Sequence, residues 1–216
     1  MIYLNFDLET GGRRPDTAPM LSFGAVAIRS GVWESAGELS FNLWIPEKRI
    51  WEPDYRQWWD SQPKEVFEAC RVNPVHPWWG MNAIMDWILH FTAEGERIAF
   101  VANPVAYDMP ILRSYLMDFA GAKWSAWAEQ NKAGLGGVDL PTMSMMLLGR
   151  DYPDSSRSRS PKEWFPKQNT DLPHIAIEDA RIQAHWFVSM MKEAATLPKV
   201  QREPYDPDRG YGDRTG

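Results

Sequence analysis

Cysteine is almost missing from this chain of 216 residues. Cys70 stands alone, so no intrachain disulfide can form, and a reducing, cytoplasmic compartment is the expectation. The first residues show no basic stretch followed by an apolar one, and no apolar run approaches the length of a membrane span. A protein without membrane association is therefore expected. Positive charge is also short: 23 Lys and Arg stand against 29 Asp and Glu, a net charge of −6. That balance argues against a broad basic surface coating nucleic acid, while leaving room for a local grip on a chain end. No internal repeat is present.

Apolar residues make up 44% and charged residues 24%, values ordinary for a globular protein with one substantial core. One domain is expected over residues 1–196. Residues 197–216, rich in turn formers and nearly without apolar side chains, read as a flexible tail. The chain opens "MIYLNFDLETGG", which alternates as a strand: Ile2, Leu4, Phe6 and Leu8 face one way and Tyr3, Asn5, Asp7 and Glu9 the other. "MLSFGAVAIRSG" and "GELSFNLWIP" continue as strands, and three in succession suggest an antiparallel meander.

Helical spacing follows in "QPKEVFEACRV" and in "GMNAIMDWILHFTAEG", where Ile84, Trp87, Ile88 and Phe91 share a face. "RIAFVAN" returns to strand. "MPILRSYLMDFAGA" reads as a helix with Pro110 in its first turn and Gly121 at its stop, and "AKWSAWAEQNKAG" and "LPTMSMMLLG" read as two more. Residues 150–172 read as a mobile loop, and a last helix is expected from Ile177 to Ala195. In that helix Ala180, Ala184, Phe187 and Met191 form the buried stripe, and Asp179 shares another with Gln183 and Trp186. The fold class is α/β, a mixed central sheet flanked by helices.

Asp7 and Glu9 lie side by side at a strand end, an unfavourable placement unless a cation sits between them. Asp108, in "VANPVAYDMPIL", stands where a strand gives way to a helix; an acid there serves equally well as an N-cap. In "LPHIAIEDARIQAHWF", His174 falls on the loop entering the last helix and Asp179 in its first turns, where an acid is also favoured by the helix dipole. Four acids and one histidine suit two divalent cations about 3.5 to 4 Å apart, clamping a phosphodiester. Hard cations such as Mg²⁺ take carboxylate oxygens, and a single His can serve as general base.

The set D-x-E-T at Asp7 to Thr10, N-x-x-x-Y-D at Asn103 to Asp108 and H-x-x-x-x-D at His174 to Asp179 resembles the three motifs of the DEDDh exonucleases. With "DLETGGRRPDTAPMLSFGAVA" and "YRQWWDSQP", the chain is most similar to their phage DNA exonuclease A and exonuclease VIII-like branch. The resemblance implies a ribonuclease H-like fold and 3′–5′ removal of nucleotides by two metal ions, Mg²⁺ with Mn²⁺ as substitute. It implies Asp7, Glu9, Asp108 and Asp179 as metal ligands and His174 as base. Thr10, with Asn103 and Tyr107, would hold the terminal nucleotide. The expected partners are single-stranded DNA or RNA 3′ ends, with DNA preferred. Arg157 and Arg159, in the loop before His174, are expected to contact substrate phosphates. Trp58 and Trp59 read as packing first and as base-stacking second. Asp139 reads as an N-cap, and His76, His90 and His185 as outside the site.

Overall fold

A computed structural model describes residues 1–131, 136–166 and 174–198. β1 (Ile2–Thr10), β2 (Met20–Arg29) and β3 (Glu34–Asn42) form the meander. β4 (Ile98–Ala102) adds parallel to β1, and β5 (Gly137–Asp139) adds parallel to β4, giving the order β3-β2-β1-β4-β5. β1 is thus the central strand, paired on both sides. Helices α1 (Pro53–Ser61), α2 (Lys64–Ala69) and α3 (Pro77–Ala93) lie between β3 and β4 in the chain. α4 (Val105–Phe119) and α5 (Gly121–Gln130) join β4 to β5, and α6 (Leu140–Leu148) and α7 (Ala176–Thr196) follow. Among the described residues no helix is long and apolar enough to cross a membrane.

The alternation in β1 sorts the core into two layers. Ile2, Leu4, Phe6 and Leu8 join the larger cluster, which takes Ile84 and Ile88 from α3, Leu112 and Tyr115 from α4 and Trp124 and Trp127 from α5. Tyr3 faces the opposite layer, with Val26 and Ile28 of β2 and Ala180, Ala184 and Phe187 of α7. Met190 is the fully buried methionine of α7 and Met191 is only half-buried, a shift of one position from the expected stripe. Trp186 is wholly buried in the same layer. α7 can lie this close because Gly24 of β2 has no side chain: a Cβ there would come within 2.3 Å of the Ala176–Ile177 backbone.

Several elements differ from the sequence reading. α4 begins at Val105, so Asp108 is in its first turn and not its N-cap, and Pro110 lies inside the helix. The cause is distant in sequence: the Asp139 carboxylate accepts the Val105 N–H at 3.0 Å, and caps α6 through Thr142 N–H at 3.0 Å. α1 and β5 carry no local pattern strong enough to announce them, one having a buried Trp59 among mostly exposed residues and the other only three residues. Residues 150–166 are not an open loop. They form three short 3₁₀ turns at Tyr152–Asp154, Arg157–Arg159 and Lys162–Trp164, with Ser155, Ser160 and Trp164 buried. The rest of that expected loop, Lys167 included, and the expected tail from residue 199 onward lie outside the described residues.

Candidate active site

β1 delivers Asp7 and Glu9, α4 delivers Asp108, and α7 with the residues entering it delivers His174 and Asp179. All five line one cavity of about 1120 Å³, together with Asn103, Tyr107 and Arg157. One ligand atom each from Glu9, His174 and Asp179 lie within 4.8 Å of one another. Register between β1 and β2 shifts between Glu9 and Thr10, so the strand bends just where its acids end.

Burial sets the electrostatics. Glu9 and Asp108 are nearly inaccessible to solvent. Desolvation, reinforced by Asp108, Glu9 and Asp179, holds the Asp7 carboxyl well above the usual carboxylate range, against a hydrogen bond from the Gln183 amide. The Gln183 Nε2 donates to Asp7 Oδ1 at 2.8 Å, while its Oε1 is buried without a partner among the described residues. Glu9 is pushed up to about 8 by burial and by the charges of Asp179 and Asp108. Asp108 is raised by burial, opposed by the Leu8 backbone N–H. Such a cluster is stable as charged oxygens only beside compensating cations. Its all-carboxylate donors with one imidazole fit a hard divalent ion such as Mg²⁺.

The remaining expected residues divide. Tyr107 and Asn103 line the cavity, but Thr10 does not. Its hydroxyl lies 2.8 Å from the Tyr107 hydroxyl, and Tyr107 in turn donates to the Tyr55 hydroxyl at 2.9 Å. Thr10 therefore holds Tyr107 in place. Arg157 reaches the site, its Nη1 3.0 Å from Asp179 Oδ1. Arg159 does not: it pairs with Asp154 beside a separate depression formed with Gly149, Arg150 and Asp151.

The tryptophan pair also divides. Trp59 is buried and donates its indole N–H to the Thr10 carbonyl at 2.8 Å, whereas Trp58 is partly exposed against the His174 ring. His185, expected outside the site, instead lines the cavity and is exposed; His76 caps α3 by accepting the Trp78 N–H at 3.1 Å, and His90 pairs with Glu94. Sequence reasoning did not assign Gln183, Tyr55 or Gly24. Gln183 was within reach, four residues beyond Asp179 on the same helical stripe.

Residues 3–191 match the family described as the 3′-5′ exoribonuclease Rv2179c-like domain. A curated relative, the 3′-5′ DNA exonuclease Cap18 of Escherichia coli, is 25% identical over 192 residues, covering 86% of this chain and 89% of its own. Among solved structures, E. coli exonuclease I in complex with a dT13 oligonucleotide superposes with a TM-score of 0.55 at 16% identity, over 90% of this chain. The match spans only 41% of exonuclease I. A 3′-exonuclease recognising the histone mRNA stem-loop superposes with a TM-score of 0.62 at 9% identity, over 91% of this chain and 65% of its own.

Proposed function

Because the chain belongs to the 3′-5′ exoribonuclease Rv2179c-like domain family, and so to the DEDDh 3′-5′ exonucleases of the ribonuclease H-like superfamily, we propose that it removes nucleoside 5′-monophosphates from single-stranded DNA 3′ ends. The observation carrying this reading is the convergence of Asp7, Glu9, Asp108, Asp179 and His174 on one cavity from three elements distant in sequence. In it the four carboxylates would hold divalent metal, Mg²⁺ or, in its place, Mn²⁺. Two such ions, when bound, supply charge stabilisation for the phosphodiester and its leaving oxygen.

The chain's own groups account for the rest of the reaction. His174 accepts a proton from the attacking water. As the water oxygen bonds to phosphorus, the bond from phosphorus to the 3′ oxygen of the preceding nucleotide breaks. The departing 3′ oxygen takes a proton from solvent, so the shortened strand ends in a 3′-hydroxyl and the released nucleotide carries the 5′-phosphate. Tyr107, held by Thr10 and Tyr55, and Asn103 border the space for the terminal nucleotide. Arg157 transfers its guanidinium from Asp179 to a phosphate oxygen of the bound strand.

The DNA preference rests on the Cap18 relative, a DNA exonuclease similar over most of both chains. RNA is the second reading, favoured by the description of the family itself. Matched DNA and RNA oligonucleotides, labelled at the 3′ or the 5′ end, separate them. With Mg²⁺, the 3′ label should be released at once as mononucleotide and the 5′ label should yield a ladder. Faster loss from RNA would transfer the assignment to exoribonuclease, and release of a 5′ mononucleotide first would overturn the polarity.

A further inference from the structure

The helix that sequence reading missed touches all three motifs. From α1, Tyr55 bonds to Tyr107 of the second motif and Trp59 to the Thr10 carbonyl of the first. Trp58, between them in sequence, meets His174 of the third, ring centroids 4.8 Å apart and planes at 83°. This is the perpendicular arrangement that aromatic quadrupoles favour. His174 needs such support. Its φ of 60° is left-handed, a strained conformation for a residue with a side chain. Among the described residues its carbonyl meets only a weak donor, the Cys70 thiol at 4.0 Å.

Resting on the exonuclease reading above, we propose that Trp58 is a positioning residue, whose indole holds the His174 imidazole toward the acids. Trp58 itself is absent from the residues lining the cavity, whereas His174 lines it. Trp58 therefore acts through His174 and not on the substrate. α1 gives it a firm base, since Trp59 is buried against Leu21, Val66 and Cys70. With 39% of Trp58 still exposed, a stacked base is the rival role, and the two make different kinetic demands.

A double-mutant cycle decides between them. Steady-state rates on a 5′-labelled single-stranded oligonucleotide with Mg²⁺ are compared for wild type, Trp58→Ala, His174→Ala and the double variant. Trp58→Ala should lower kcat by about 2- to 12-fold, the range of one edge-to-face pair, with KM nearly unchanged. In the His174→Ala background the same substitution should cost nothing further. Trp58→Phe, which keeps a ring, should recover most of the rate. If Trp58→Ala unfolds, Trp58→Leu fills the space without a ring and carries the same expectation. An equal loss in both backgrounds, or a loss confined to KM, would refute positioning in favour of substrate stacking. A wild-type protein that degrades no 3′ end would instead bring down the exonuclease reading and this role with it.

Discussion

Burying Glu9 among other acids should make the metal-free protein less stable as pH rises, and Glu9→Gln measures by how much. Folding lifts its pKa from 4.5 to about 8. Below pH 4.5 the carboxyl is protonated in both states and the fold suffers no loss. Between the two values the unfolded chain ionises while the folded one stays neutral, so stability falls by about 1.4 kcal/mol per pH unit. The loss from this one group is on the order of 3 kcal/mol at pH 7 and on the order of 5 kcal/mol above pH 8. Gln has nearly the same shape and cannot ionise. At about 2–4 °C per kcal/mol for a chain of this size, Glu9→Gln should melt roughly 6–12 °C above wild type at pH 7 in EDTA. Near pH 4.5 the two should coincide. Mg²⁺ should close the gap from the other side, stabilising wild type more at pH 8 than at pH 5.5 and the variant little at either. The assay is thermal unfolding of both proteins across pH, with EDTA and with Mg²⁺. A difference between them that does not grow with pH would refute the reasoning.

Alanine at Asp7, Glu9, Asp108 or Asp179 should each abolish hydrolysis in a folded protein, as EDTA should in wild type; full activity in any folded variant removes that residue from the metal site. His174→Ala should keep the Mg²⁺-induced rise in melting temperature and turn over about 10²- to 10⁴-fold more slowly, and an unchanged rate would end its assignment as base. Gly24→Ala must displace the start of α7, because its Cβ would meet backbone at 2.3 Å, so activity should fall by an order of magnitude or more even where the far-ultraviolet circular dichroism is native. Arg157→Ala should weaken single-strand binding to every sequence and flatten the salt dependence by about 0.7 in slope, whereas Arg159→Ala, whose partner is Asp154, should change neither. Equal effects of the two arginines would mean that the 3₁₀ turns act only as bulk charge.

What the sequence made legible was periodic or local. The two faces of β1, the meander, the last helix within a residue at each end, and the Asp179–Gln183 stripe all follow from spacings within one element. What it concealed depends on partners far along the chain. Asp108 looks like a cap because "DMP" is a good local start, yet the Asp139 carboxylate, 34 residues beyond Val105, starts the helix there, four residues earlier. That shift carries Asp108 from capping duty into the cavity. Arg157 and Arg159 are equivalent in a string of residues, but a single 3₁₀ turn sends one to Asp179 and the other to Asp154. Trp58 and Trp59, adjacent on a helix and about 100° apart around it, could not share one role.

The placement of the acids on β1 follows from the same repulsion that the pH experiment measures. A strand forced to hold Asp7 and Glu9 close to Asp108 and Asp179 will move away from them if it can. On an edge strand it could, by fraying or slipping. β1 has β2 on one side and β4 on the other, an apolar layer from α3, α4 and α5 beneath, and α7 above. A slip of one residue would drive Ile2, Leu4, Phe6 and Leu8 out of the larger core cluster and toward the α7 face. Burial of four such side chains is worth roughly 6–12 kcal/mol, more than the order of 5 kcal/mol that ionising Glu9 takes away. The apolar face of β1 therefore fixes where its acidic face must stay, and the acids remain converged and poised for cations instead of relaxing apart.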